Sequence, residues 1–91
     1  MSPTREILVL GRCDHTEAMR VAAGLTIFGH TVRLVLMTAP VADTPENARQ
    51  AETLELAGIE PETTIAGQGI TAIDDDALAD AIARASAIIS L

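Results

Sequence analysis

Ile7-Leu8-Val9-Leu10-Gly11-Arg12-Cys13-Asp14-His15-Thr16-Glu17 is the stretch whose reading decides the fold. Its four-residue apolar run is too short for a helix and fits a strand covered on both faces. Gly11 then opens a polar loop that holds the chain's one cysteine and one of its two histidines. Asp14 followed three residues later by Glu17 is the spacing of a capping box. The stretch predicts a buried strand feeding a helix through a short polar loop.

Outward from it, the same unit recurs. From Glu17 to Phe28, Met19, Ala22, Ala23 and Thr26 fall at helical spacing, with Val21, Leu25 and Phe28 widening the stripe and Gly29 ending it. Thr31 to Met37 is β-branched and apolar and predicts a second strand, one helix-length crossover after the first. Such crossovers are right-handed and build parallel sheets. After a loop over Ala39 to Asp43, Thr44-Pro45-Glu46 starts a second helix, with a cap hydroxyl and a proline at the first helical position. Ala48, Ala51, Leu54 and Ala57 give its expected inner edge, Glu52 and Glu55 its solvated one, and Gly58 its stop. Glu62 to Ala66 predicts a short third strand, and Gly67-Gln68-Gly69 a following turn. Asp74-Asp75-Asp76 opens a last helix with Leu78, Ala81, Ile82 and Ala85 inward, and Ala87 to Leu91 reads as a closing strand. Residues 1–91 are therefore expected to form one α/β domain, a parallel sheet of four or five strands with helices on both faces.

Composition narrows the function. Hydrophobic residues make up 48% of the chain, yet Phe28 is its one aromatic, so the core is expected to be Ala, Val, Ile and Leu in close contact. A formal charge of -7 with six basic residues, all arginine, argues against nucleic acid, which needs clustered cations and stacking platforms. The lack of lysine excludes a Schiff-base lysine, a phosphate-loop lysine and the lysine of a phospho-acceptor receiver. No apolar run approaches the roughly 20 residues of a membrane span, and Met1 to Glu6 lacks the apolar segment of a secretion signal. A soluble, cytoplasmic protein is expected. A single cysteine allows no intrachain disulfide, in keeping with a reducing compartment.

In an open parallel sheet, ligands bind beyond the C-terminal ends of the strands. The loops expected there carry Arg12-Cys13-Asp14-His15, then Thr38 with Asp43-Thr44, then Gly67-Gln68-Gly69. Cys13 lies just before a helix N-terminus, where backbone N–H groups favour a thiolate, and His15 and Arg12 are close in sequence; the plainer reading is a small apolar residue at a strand end. Asp14 reads as a cap before it reads as a catalytic carboxylate. Gly67-Gln68-Gly69 reads as a backbone nest for an anion or as an ordinary turn. The Asp74-Asp75-Asp76 run is explained by capping and the helix dipole, so no metal and no cofactor is expected. His30, beside Gly29, reads as a surface turn residue.

These elements together resemble the DsrE-like family of small sulfur-metabolism proteins, including the TusB, TusC and TusD subunits. The resemblance lies in Ile7 to Leu10, the Ala-rich helix ending Gly29-His30-Thr31-Val32 into Leu34-Val35-Leu36, Gly58-Ile59, Gly69-Ile70 and the terminal Ala85 to Leu91. It implies a flavodoxin-like three-layer architecture, assembly into trimers or hexamers and, in active members, a persulfide-carrying cysteine after the third strand. Here that loop is Ala66-Gly67-Gln68-Gly69, without a thiol, and the acidic-glycine element usual after the second strand is replaced by Met37-Thr38-Ala39-Pro40-Val41.

Three functions are compatible with this reading. The first is an accessory or small-ligand-binding subunit without its own catalytic thiol. The second is a sulfur carrier or enzyme using Cys13 with His15. The third is a Rossmann-like nucleotide-binding module, disfavoured because no G-x-G-x-x-G follows the first strand. A homo-oligomer, or a place in a larger complex, is expected for so short and alanine-rich a domain, with Leu56, Val21 and Leu25 as expected contact residues.

Overall fold

The computed structural model describes residues 6–91, so the segment 1–5, read above for a secretion signal, lies outside the described residues. Strand β1 (Glu6–Gly11) is central, with β2 (Thr31–Leu36) on one side and β5 (Ala87–Ser90) on the other. Beyond β2 lie β3 (Glu62–Thr63) and β4 (Thr71–Ala72), giving the order β4-β3-β2-β1-β5, with every pairing parallel. The expected parallel pairing of the first two strands holds, with Ile7 opposite Val32 and Leu10 opposite Val35. Leu8 and Val9 are fully buried because layers cover both faces of β1, which is why this strand is apolar without alternation.

Helices α1 (His15–Ile27) and α2 (Pro45–Ala57) carry the chain from β1 to β2 and from β2 to β3. Two right-handed crossovers in the same direction put both helices on one face. Ala18, Met19, Ala22, Ala23 and Leu54 accordingly pack with Val9, Leu34 and Leu36. Helix α3 (Asp75–Arg84) returns the chain to β5 across the other face, where Ala81 packs with Leu8, Leu10 and Val35. Close approach of α1 depends on Gly11. A Cβ there would lie 2.9 Å from Leu36 Cδ2 and 3.0 Å from Ala18 Cβ.

Helix α1 starts at His15 with Asp14 as its cap, as the Asp14–Glu17 spacing predicts, but other helix details differ from the sequence reading. Its C-terminus closes as expected on Gly29 (φ +95°), with the Gly29 N–H donating to Thr26 O and the His30 N–H to Leu25 O. Phe28, however, is 84% exposed and not part of the stripe, since the helical period runs past the end of the sheet it packs on. On α2, Ala48 and Ala51 face solvent and the inward positions are Asn47 and Leu54. Alanine periodicity was uninformative there because a methyl group fits either side. Val21 and Leu25 are half-buried, Leu25 against the core.

The third strand is two residues long, and the turn after it leads into a further strand, β4, instead of directly into a helix. A parallel step usually needs a crossover of a dozen residues. Here residues 64–70 suffice because each strand contributes only two paired positions, Glu62 to Thr71 and Thr63 to Ala72. Gly67 (φ +84°) and Gly69 (φ +71°) supply the left-handed backbone of the return.

Candidate functional site at the C-terminal edge of the sheet

The chain reaches β2 through α1 on one face and β5 through α3 on the other, so the winding reverses beside β1, the place where open α/β sheets bind ligands. The loop after β1 lies there. Its Arg12, Cys13 and Asp14 N–H groups all donate to Leu91 O, at 2.8, 2.8 and 3.3 Å, while the Leu91 N–H donates to Leu10 O at 2.9 Å. The Leu91 oxygen therefore occupies the point on which these amides converge. Arg12 and Cys13 are exposed at the rim.

Asp14 caps α1, its Oδ1 accepting from the Glu17 N–H at 3.0 Å. Only half of the capping box forms, because the Glu17 carboxylate turns to Arg20 and accepts from Nε at 2.9 Å. That hydrogen bond outweighs the desolvation that opposes it and, with Coulomb attraction to Arg20, holds the Glu17 carboxyl below its ordinary range. The first residue of α1, His15, sends its ring to the next loop, where Nε2–H donates to Met37 O at 2.8 Å. The bond places the proton of the neutral ring on Nε2, since a carbonyl only accepts.

Met37 is held twice, its N–H donating to Gly11 O at 2.8 Å. With both backbone groups of Met37 fixed on β1 and α1, the chain turns sharply at Thr38, which adopts φ +80° although it is not glycine. Such a conformation costs on the order of 1 kcal/mol and is kept only where the surroundings enforce it. The loop after β2 then meets the loop after β3 through Gln68. Gln68 Oε1 accepts from the Val41 N–H at 2.8 Å, and Nε2 donates to Thr63 Oγ1 and Ile65 O, both at 3.1 Å. Thr63, fully buried, is satisfied by this bond and by the Ile65 N–H.

The three loops thus converge as the sequence reading expects. Of the residues singled out, His15, Asp14 and Gln68 hold loops and caps together; Gly67 and Gly69 shape the turn; Arg12, Cys13 and Thr38 lie exposed at the rim. Two polar groups escaped the sequence reading. Asn47, 7% exposed on α2, accepts at Oδ1 from Thr16 Oγ1 and donates from Nδ2 to Ala42 O at 2.9 Å, tying α1 to α2. Arg33 on β2 donates from Nε to Glu62 on β3 at 2.6 Å and from a second nitrogen at 3.0 Å, a bidentate pair that raises the guanidinium pKa. Partners 31 and 29 residues apart leave no local signal. Asp74 accepts from the Ala77 N–H at 2.8 Å, so the acidic run begins as a cap. Among the described residues, no three of His, Cys, Asp and Glu cluster as a metal site.

A surface groove lies elsewhere. Its volume is about 500 Å³, and Ala51, Glu55, Ile59, Pro61, Ile70 and Thr71 line it at the opposite, N-terminal edge of the sheet. Sequence reasoning placed no site there.

Fold and site together define a small three-layer α/β protein with an all-parallel sheet. Compared with protein-family models, curated proteins and solved structures, the chain matches none. Among the described residues, no helix is long and apolar enough to cross a membrane.

Proposed function

We propose that this chain is a cytoplasmic, oligomeric accessory subunit of the DsrE-like kind, linked to sulfur metabolism, that binds a small ligand or docks a partner without performing thiol chemistry in the loop after β3. The observation that carries the reading is Gln68. It stands in the loop where active members of that family hold the persulfide cysteine, and its amide bonds Val41, Thr63 and Ile65. Neither glutamine nor its glycine neighbours can hold a persulfide, and the side chain at this position braces two loops against each other. The resemblance that suggests the family rests on the sequence pattern together with the three-layer fold.

The exposure of Cys13 beside the N-terminus of α1 favours a second reading, sulfur transfer in the loop after β1. Against it, the amides of Arg12, Cys13 and Asp14 already serve Leu91 O. Intact-mass measurement separates the two. Under the proposed function, iodoacetamide adds one adduct, at Cys13, while a persulfide donor leaves no modification that passes to an acceptor thiol. A persulfide on Cys13 that is transferred, and lost in Cys13→Ser, overturns the proposal in favour of the second reading.

A further inference from the structure

The groove at the N-terminal edge of the sheet exists because the step from β3 to β4 carries no helix. Helix α2 packs against α1 on one flank, where Asn47 accepts from Thr16. Residues 64–70 lead to β4 as turns alone, so among the described residues no helix covers the other flank of α2. What remains is a space of about 500 Å³ between Ala51 and Glu55 of α2, Ile59 and Glu60 on the way to β3, and Ile70 on the way to β4. That volume falls within the range of small-molecule sites. Ile59 is buried and Ile70 packs on the core, so part of the wall is apolar and fixed.

Its electrostatics have one sign. Glu55 and Glu60 line the groove, and no arginine does. Among the described residues, neither carboxylate makes a salt bridge. Helix α2 also ends there, capped by Gly58 at φ +79°, and its aligned peptide dipoles give that end a partial negative charge. The last turn of α2 holds no basic residue and does hold Glu55, a carboxylate where the dipole disfavours one. Elsewhere the chain places its acids favourably, with Glu17, Glu46, Asp75 and Asp76 all in first turns. A place where local chemistry runs against the stability of the fold is a mark of function. Two carboxylates and a helix C-terminus thus meet at one partly apolar cavity that has no cation of its own.

We propose that this groove is a binding site for a small organic cation, an ammonium or guanidinium group carried on an apolar body. The cationic head pairs with Glu55 and Glu60 at the end of α2, and the body lies against Ile59, Pro61 and Ile70. Anions are turned away by the same groups that hold the cation. The site goes beyond the function proposed above and does not rest on it, since neither Gln68 nor Cys13 takes part.

The test is an NMR titration of the isotope-labelled full chain with phenethylammonium, which joins one cation to one ring. Its isosteric anion, phenylpropanoate, and ammonium chloride serve as controls. Phenethylammonium should shift the amides of Ala51, Gly58, Ile59 and Ile70 saturably, with a dissociation constant of about 1 mM or below, while both controls leave them in place. Glu55→Gln and Glu60→Gln, at exposed positions, should each weaken binding about threefold and together about tenfold. Ala51→Phe, which fills the groove without changing its charge, should abolish binding and leave the spectrum of the distant strands β1 and β5 unchanged. Equal shifts with phenylpropanoate, equal shifts with ammonium chloride, or no saturable shift with phenethylammonium each overturn the proposal. All three leave the function proposed above standing.

Discussion

At the C-terminal edge of the sheet, Asp14, His15, Asn47 and Gln68 each bond to a cap or a neighbouring loop, whereas at the N-terminal edge Ile27, Phe28 and Leu56 stand in solvent. At the first edge most of the polar groups singled out are bonded within the fold; at the second, three large apolar side chains are left largely uncovered by their own chain. Polarity in loops therefore misleads as a guide to function here, because most of it is consumed in holding the loops. Much of what the fold leaves uncovered at the N-terminal edge is hydrophobic.

The comparison is tested hardest on α2, where Leu54 and Leu56 are two residues apart and 1% and 90% exposed. Leu54→Ala should cost about 2–5 kcal/mol in denaturant unfolding, as a truncation in a closed core. Leu56→Ala, measured at a concentration where the chain is monomeric, should stay within about 0.5 kcal/mol of the parent. Equal losses at the two sites would mean that the second edge is as integral to the monomer as the first.

Gln68→Ala sharpens the other half. It removes the partner of the Val41 N–H and one partner of buried Thr63 Oγ1, so a loss of about 1–3 kcal/mol is expected. Amide exchange should quicken at Val41 and Ile65 before it does in β1. A Gln68→Ala protein of unchanged stability would free this residue for ligand binding and weaken the bracing argument.

The smallest effect concerns Glu17. Arg20 holds its carboxyl below the ordinary glutamate range, so the pair's contribution to stability is present above the unfolded pKa and is lost as pH falls through the lowered folded one. Because the pair is solvent-exposed, the expected readout is an NMR titration and not an unfolding midpoint. The Glu17 carboxyl should titrate below the ordinary glutamate range and return to it in Arg20→Gln.

How far the sequence carried this picture depends on distance along the chain. The central strands were legible because burial on both faces leaves β1 and β2 apolar apart from Glu6 and Thr31 at their starts and Arg33. The caps at Asp14, Thr44 and Asp74 were legible because each bonds an N–H three residues on. The division into β3 and β4 was not, since two-residue strands have no periodicity and are held in place by Gln68 and by the Ile73 N–H bonded to Thr63 O. Phe28 was read inward because periodicity records the helix and not where the sheet beneath it ends.

The place of β1 between β2 and β5 has a consequence for the order in which the protein is made. One side of Ile7 to Leu10 finds its partner as soon as Thr31 to Leu36 leave the ribosome, but the other side waits for Ala87 to Ser90. At roughly 5–20 residues per second, that wait lasts a few seconds. Throughout it, the most apolar strand of the chain presents an open edge to every other nascent chain nearby. The strand that anchors the finished sheet is thus the one most vulnerable while the sheet is unfinished.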